Sequence, residues 1–119
     1  MSDKSIGTSP AYGRTRRFNR HRMDARIQLS VFRDGANTSL WGRTSELGED
    51  GIGATLSAEL VVGEVVSMEF PIPVAPYFMK VRSITRYCEG LRCGFEFLIV
   101  TEGQRETLRR ACEVLASAF

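Results

Sequence analysis

From residue 26 to residue 99 the apolar side chains recur at every second position, in short runs broken by turn-forming residues. Ile27, Leu29 and Val31 alternate with Arg26, Gln28 and Ser30, and Val66, Met68, Phe70 and Ile72 share one parity. Cys93, Phe95, Phe97 and Ile99 point away from Arg92, Gly94 and Glu96. A period of two is that of a strand with one face in a core and the other in water, and it rules out a helical bundle. The breaks carry turn chemistry. Arg33-Asp34-Gly35-Ala36-Asn37 reads as a turn around Asp-Gly, and Gly63-Glu64 lies in the middle of LVVGEVV. GEDGIG, residues 48–53, reads as a tight turn whose glycines permit positive φ. The prolines of PIPVAP read as a loop, and Glu89-Gly90 joins a hairpin with arms 78–88 and 91–99.

Further strands are expected over roughly 39–46, Ile52 to Leu56, and from Val66 to the prolines. Six short antiparallel strands form a barrel or a sandwich, so the fold class is mainly β. Trp41, the sole tryptophan, is expected in the core because it lies on a strand; the alternative is a ring beside a ligand. The period changes at the end of the chain. Thr101-Glu102-Gly103-Gln104 has the form of a capping box, and Leu108, Ala111, Cys112, Leu115 and Phe119 then fall at helical spacing. One helix over 102–118 is expected to pack on the strands, with Arg105, Arg109 and Arg110 on its solvated side.

At 119 residues, 43% hydrophobic and 25% charged, the chain has the makeup of one soluble domain. Residues 1–13, rich in Ser, Gly and Pro, are expected to be a disordered tail. They lack the apolar core of a secretory signal, and no run approaches the roughly 20 apolar residues that span a bilayer. Cys88, Cys93 and Cys112 are odd in number and lack zinc-ligand spacing, which points to reduced thiols and a cytoplasmic location.

Charge is distributed unevenly. Residues 1–26 carry Lys4 and six arginines against Asp3 and Asp24, and RTRRFNRHR places five of those arginines within residues 14–22. The rest of the chain has more acidic than basic residues, although the net charge of the whole is +2. Arginine offers a planar fork that pairs with phosphate or a guanine edge and stacks on flat rings. The segment over 14–26 therefore reads as an arm that contacts an anionic, ring-bearing ligand at the barrel, or as a solvated basic tail attracted to any polyanion. An arm lying ahead of the core is expected to contribute affinity and no stability.

Enzymatic chemistry is poorly represented. His21, the one histidine, lies inside the arginine run, and no serine or cysteine has an evident base partner. Adjacent acids such as Glu49-Asp50 in a glycine-rich turn are ordinarily solvated. GEDGIG lacks the lysine and hydroxyl of a P-loop, and it leads into a strand where a dinucleotide motif would lead into a helix. No enzyme, metal or cofactor is expected.

With these features in place, the sequence resembles the PilZ domain, the bacterial receptor module for cyclic di-GMP. The family's first motif, R-x-x-x-R ahead of the first strand, matches Arg16-Arg17-Phe18-Asn19-Arg20. Its second, [D/N]-x-S-x-x-G, aligns with Glu46-Leu47-Gly48-Glu49-Asp50-Gly51, where Glu46 replaces Asp or Asn, Gly48 replaces Ser and Gly51 matches. Gly94 in CGFEF and the closing helix also resemble the family. The resemblance implies a six-stranded antiparallel barrel with one C-terminal helix, occupying 14–119 as arm, barrel (27–100) and helix. It further implies a receptor or adaptor in which Arg16, Arg17, Arg20, Glu46, Gly48 and Gly51 hold cyclic di-GMP and signal to a protein partner. Glu46 retains a carboxylate that can accept from guanine, and Gly48 retains only its backbone N–H. Two other readings stand beside this one: a PilZ-like interaction domain that has lost the nucleotide, and a basic arm that binds nucleic acid nonspecifically, with steep salt dependence.

Overall fold

Residues 18–98 and 100–118 are described by a computed structural model. The strands are β1 (His21–Arg22), β2 (Arg26–Arg33), β3 (Ala36–Leu47), β4 (Gly51–Leu56), β5 (Val65–Pro71), β6 (Phe78–Glu89) and β7 (Arg92–Phe97). A single helix, α1 (Glu102–Ala118), follows. All pairings are antiparallel, in the order β1-β3-β2-β5-β6-β7-β4, and β4 pairs back onto β3. That last pairing closes β2–β7 into a six-stranded barrel, with β1 a short addition at the end of β3.

Alternation fills the interior as the periodicity predicts. Ile27, Leu29 and Val31 of β2, Val66, Met68 and Phe70 of β5, and Cys93, Phe95 and Phe97 of β7 are buried together. Phe70 and Phe97 stack across the core, ring centroids 6.1 Å apart at 12°. Asp34 and Gly35 both have positive φ, 52° and 80°, so the β2–β3 hairpin closes through the two-residue primed turn that Asp-Gly favours. Gly90, at φ 62°, begins the two-residue turn between Glu89 and Arg92. The capping box forms as written: Gln104 N donates to Thr101 Oγ1 at 3.1 Å, and Thr101 N to Gln104 Oε1 at 3.2 Å. Leu108, Ala111, Cys112 and Leu115 are the buried face of α1. Ile99 and Phe119, assigned to apolar stripes by spacing, lie outside the described residues.

Trp41 corrects an expectation. It is 51% exposed, on the outer face of β3, with the Arg26 guanidinium 5.0 Å from its ring centroid. The inward parity of β3 belongs to Leu40, Gly42 and Thr44. Strand parity therefore outranks the hydrophobicity of the residue, because inward and outward positions cannot be exchanged without slipping the register of β2 on β3.

The turn before β5 is fastened by one ion pair. Arg33 Nε and Nη2 donate to Glu64 Oε2 and Oε1 at 2.8 and 2.7 Å, and Val61 N donates to the same carboxylate at 2.8 Å. The Arg33 hydrogen bonds hold the Glu64 carboxyl down at about 2, against an ordinary 4.5. A depressed folded-state pKa contributes stability above the unfolded value and loses it as pH falls through the folded one. Unfolding free energy measured from pH 5 down to pH 2 should therefore fall less steeply for Glu64→Gln than for the parent.

Candidate ligand-binding site

The far end of β3 is where the motif residues converge. β1 lies along it, with His21 opposite Leu47 and Arg22 opposite Glu46. On its other side β3 pairs with β4, with a register shift between Thr44 and Glu46, before residues 48–50 turn the chain into β4. Gly48 N donates to Gly51 O at 2.9 Å across this turn, and Phe97 N of β7 donates to Asp50 O at 2.9 Å. The turn is thus tied to itself and to the barrel wall.

Arg20 lies across the turn. Its side chain is only 5% exposed, with Nη1 3.2 Å from Glu46 Oε2 and Nε 3.5 Å from Asp50 Oδ1. The two carboxylates are about a third exposed, so the pair is half-open to water. Gly48 and Gly51 provide the room. A Cβ on Gly48 would come 2.6 Å from Arg20 Cδ and 2.8 Å from its Nε. A Cβ on Gly51 would come 2.1 Å from Phe95 O and 3.0 Å from Arg20 Nη2. Neither glycine has positive φ, which corrects the reading of GEDGIG. Gly51 is required because the β7 backbone approaches too closely for a side chain, whereas at Gly48 the close neighbour is the Arg20 side chain.

Helix α1 backs this corner. Cys112 Sγ lies 3.9 Å from Leu47 O, and burial, followed by the charges of Glu49 and Asp50, pushes its thiol up to about 11. Met23, three residues before the start of β2, is buried in the core. The part of the arm nearest the barrel is therefore built into the fold, contrary to the expectation of an arm lying ahead of it.

Of the six site residues named from sequence, the structure brings Arg20, Glu46, Gly48 and Gly51 into one cluster, and Arg16 and Arg17 lie outside the described residues. Two assigned roles change. The Gly48 N–H, expected to be open to an anion, is used within the turn, and the Glu46 carboxylate accepts from Arg20. Asp50 was missed: the sequence reading makes it a solvated acid, yet its Oδ1 is buried against Arg20. Its place between the two glycines was the available signal. A groove of about 550 Å³ on the outer face of β3, β2, β5 and β6, lined by Trp41, Arg26, Gln28, Glu69 and Lys80, also went unnamed. Trp41 stands five residues before Glu46 on β3, roughly 16 Å along the strand.

Several solved structures resemble this one. The PilZ domain with c-di-GMP of YcgR from Escherichia coli superposes with a TM-score of 0.73 at 19% identity, covering 88% of this chain and 94% of its own. The Bacillus subtilis inhibitor of motility, MotI/DgrA, gives 0.64 at 14% identity, over 83% of this chain and 50% of that one. The PilZ domain of CeSA from a cellulose-synthesizing bacterium gives 0.61 at 15% identity, over 84% and 97%. No curated protein matches the chain. The sequence profile of the PilZ domain matches residues 14–113, nearly all of the barrel and helix together with the arginine segment. The chain belongs to the PilZ domain family.

Proposed function

We propose that this protein is a cyclic di-GMP receptor that acts as an adaptor, a binding module and not an enzyme, passing the nucleotide signal to a protein partner. The carrying observation is that Arg20, from the first motif, rests on Gly48 and Gly51 of the second, so that two segments distant in sequence form one cluster. Among the described residues Arg20 is set against the carboxylates of Glu46 and Asp50, which alone is no anion site. Arg16 and Arg17 supply the further positive charge that a bis-phosphate requires. Ligand binding exchanges the Arg20–Glu46 and Arg20–Asp50 contacts for contacts with phosphate and guanine, and the rearranged arm is the surface a partner reads. The proposed location is the cytoplasm, in keeping with three free thiols. No helix among the described residues is long and apolar enough to cross a membrane.

Calorimetry with cyclic di-GMP tests the reading. Binding is expected at ~100 μM ligand, where even a site of about −6 kcal/mol is substantially filled. Arg16→Lys and Arg20→Lys should each weaken it by more than about 1.4 kcal/mol, tenfold, because lysine keeps the charge and loses the fork. Arg14→Lys should change little. Absence of both heat and amide shifts in the parent overturns the proposal.

The internal use of the Glu46 carboxylate and the Gly48 N–H favours a second reading, a PilZ domain that acts through protein contacts without nucleotide. The double substitution Glu46→Asp with Gly48→Ser separates the two. If only that variant binds, the natural protein is an interaction domain. Parent binding supports the receptor.

A further inference from the structure

Three cysteines remain free in the fold, and two of them face each other. Cys88, second to last in β6, is directly opposite Cys93, second in β7. Directly opposed residues of an antiparallel pair project from the same face, with Cα atoms about 4.5 or 5.5 Å apart depending on the type of pair. Both separations lie within the about 4.4–6.8 Å that a disulfide spans. The pair stands one step inside the two-residue turn at Gly90-Leu91, where Glu89 opposite Arg92 holds the register. Cys93 is buried in the core, and Cys88 is partly buried at its margin, so a reagent reaches Cys88 first. Cys112 is buried on α1 against Leu47 and belongs to another part of the molecule.

The geometry points to a redox modification site: Cys88 and Cys93 form a reversible cross-strand disulfide by exchange with a low-molecular-weight disulfide such as that of glutathione. The Cys88 thiolate attacks one sulfur of the small disulfide, breaking its S–S bond and releasing one small thiolate. Cys93, on losing its proton, then attacks the Cys88 sulfur and displaces the second small thiol. Two protein thiols are oxidised by two electrons, one small disulfide is reduced to two thiols, and the two protons leave with those thiols. Burial first, and then the neighbouring Cys88 thiol, push the Cys93 thiol up to about 12, which makes the second exchange the slow one. The strand fastened in this way is β7, whose Phe95 carbonyl abuts Gly51. Such bonds in reducing compartments are transient and serve as sensors.

The full-length protein is reduced, desalted, treated with glutathione disulfide at several protein concentrations, quenched with iodoacetamide under denaturing conditions and digested with trypsin. Cleavage after Arg86, Arg92, Arg105 and Arg110 separates the three cysteines onto residues 87–92, 93–105 and 111–119. The expected product is the 87–92 peptide linked to 93–105, at a yield independent of protein concentration and reversed by dithiothreitol, with Cys112 alkylated. Cys88→Ser, a small change at a half-buried site, should abolish that product while keeping the circular dichroism of the parent. Three results each overturn the proposal: glutathione retained on Cys88 with Cys93 alkylated, both thiols alkylated after treatment, or a linkage that grows with protein concentration.

Discussion

Arg20→Ala lowers the melting temperature of the ligand-free protein by roughly 8–12 °C, equivalent to about 2–3 kcal/mol for a domain of this size. Removing one partner of a buried ion pair costs about 3–5 kcal/mol because the remaining charge is stranded in low dielectric. Here Glu46 and Asp50 are about a third exposed and can turn to water, which brings the figure down. Thermal unfolding by circular dichroism checks it. Glu46→Gln should cost less, since Arg20 keeps Asp50. An unchanged melting temperature for Arg20→Ala would show that the guanidinium is held only loosely over the turn. The stability loss and the affinity loss predicted for Arg20 are separate measurements, and both follow from one side chain serving the fold and the ligand in turn.

Gly51→Ala destabilises the protein by about 3 kcal/mol or more, the upper end of overpacking costs, from a total of about 5–15 kcal/mol. The atom that its Cβ would meet, 2.1 Å away, is a backbone carbonyl oxygen on β7. Gly51 pairs with Glu96, and Phe97 N is bonded to Asp50 O, so β4 and β7 must separate where the barrel wall is most constrained. The midpoint in urea should fall accordingly. Gly48→Ala meets mainly the Arg20 side chain, which can swing away. It should cost no more than Arg20→Ala, and the two changes combined should be well short of additive, because each unseats the same guanidinium. Additive losses would place the strain at Gly48 in the Asn19 carbonyl, 3.1 Å from the added Cβ.

Most of the barrel was legible because its strands and turns are written in local patterns. The parity of Ile27, Leu29 and Val31, the Asp34-Gly35 turn with its two positive φ angles, and the Thr101–Gln104 box each depend on a few consecutive residues. Local chemistry decides them, and they form as the spacing predicts. The clustering of Arg20 with Gly51 was legible only through the resemblance to a family, since 31 residues separate them and no periodicity connects them.

The amino-acid sequence by itself determined the strand parity, the turn positions, the helix and its cap, and the concentration of arginine before β2. The tertiary structure alone decided the pairing of β3 with β4 that closes the barrel, and with it the company each polar group keeps. It turned Trp41 outward, made Gly51 obligatory through close approach and not through φ, seated Arg20 against Gly48, and buried one oxygen of Asp50 against Arg20. It also set Cys88 opposite Cys93. The physical reason is the same in each case. Burial, ion pairing and steric approach depend on atoms brought together across the barrel, and a distance of that kind has no counterpart in the order of residues along the chain.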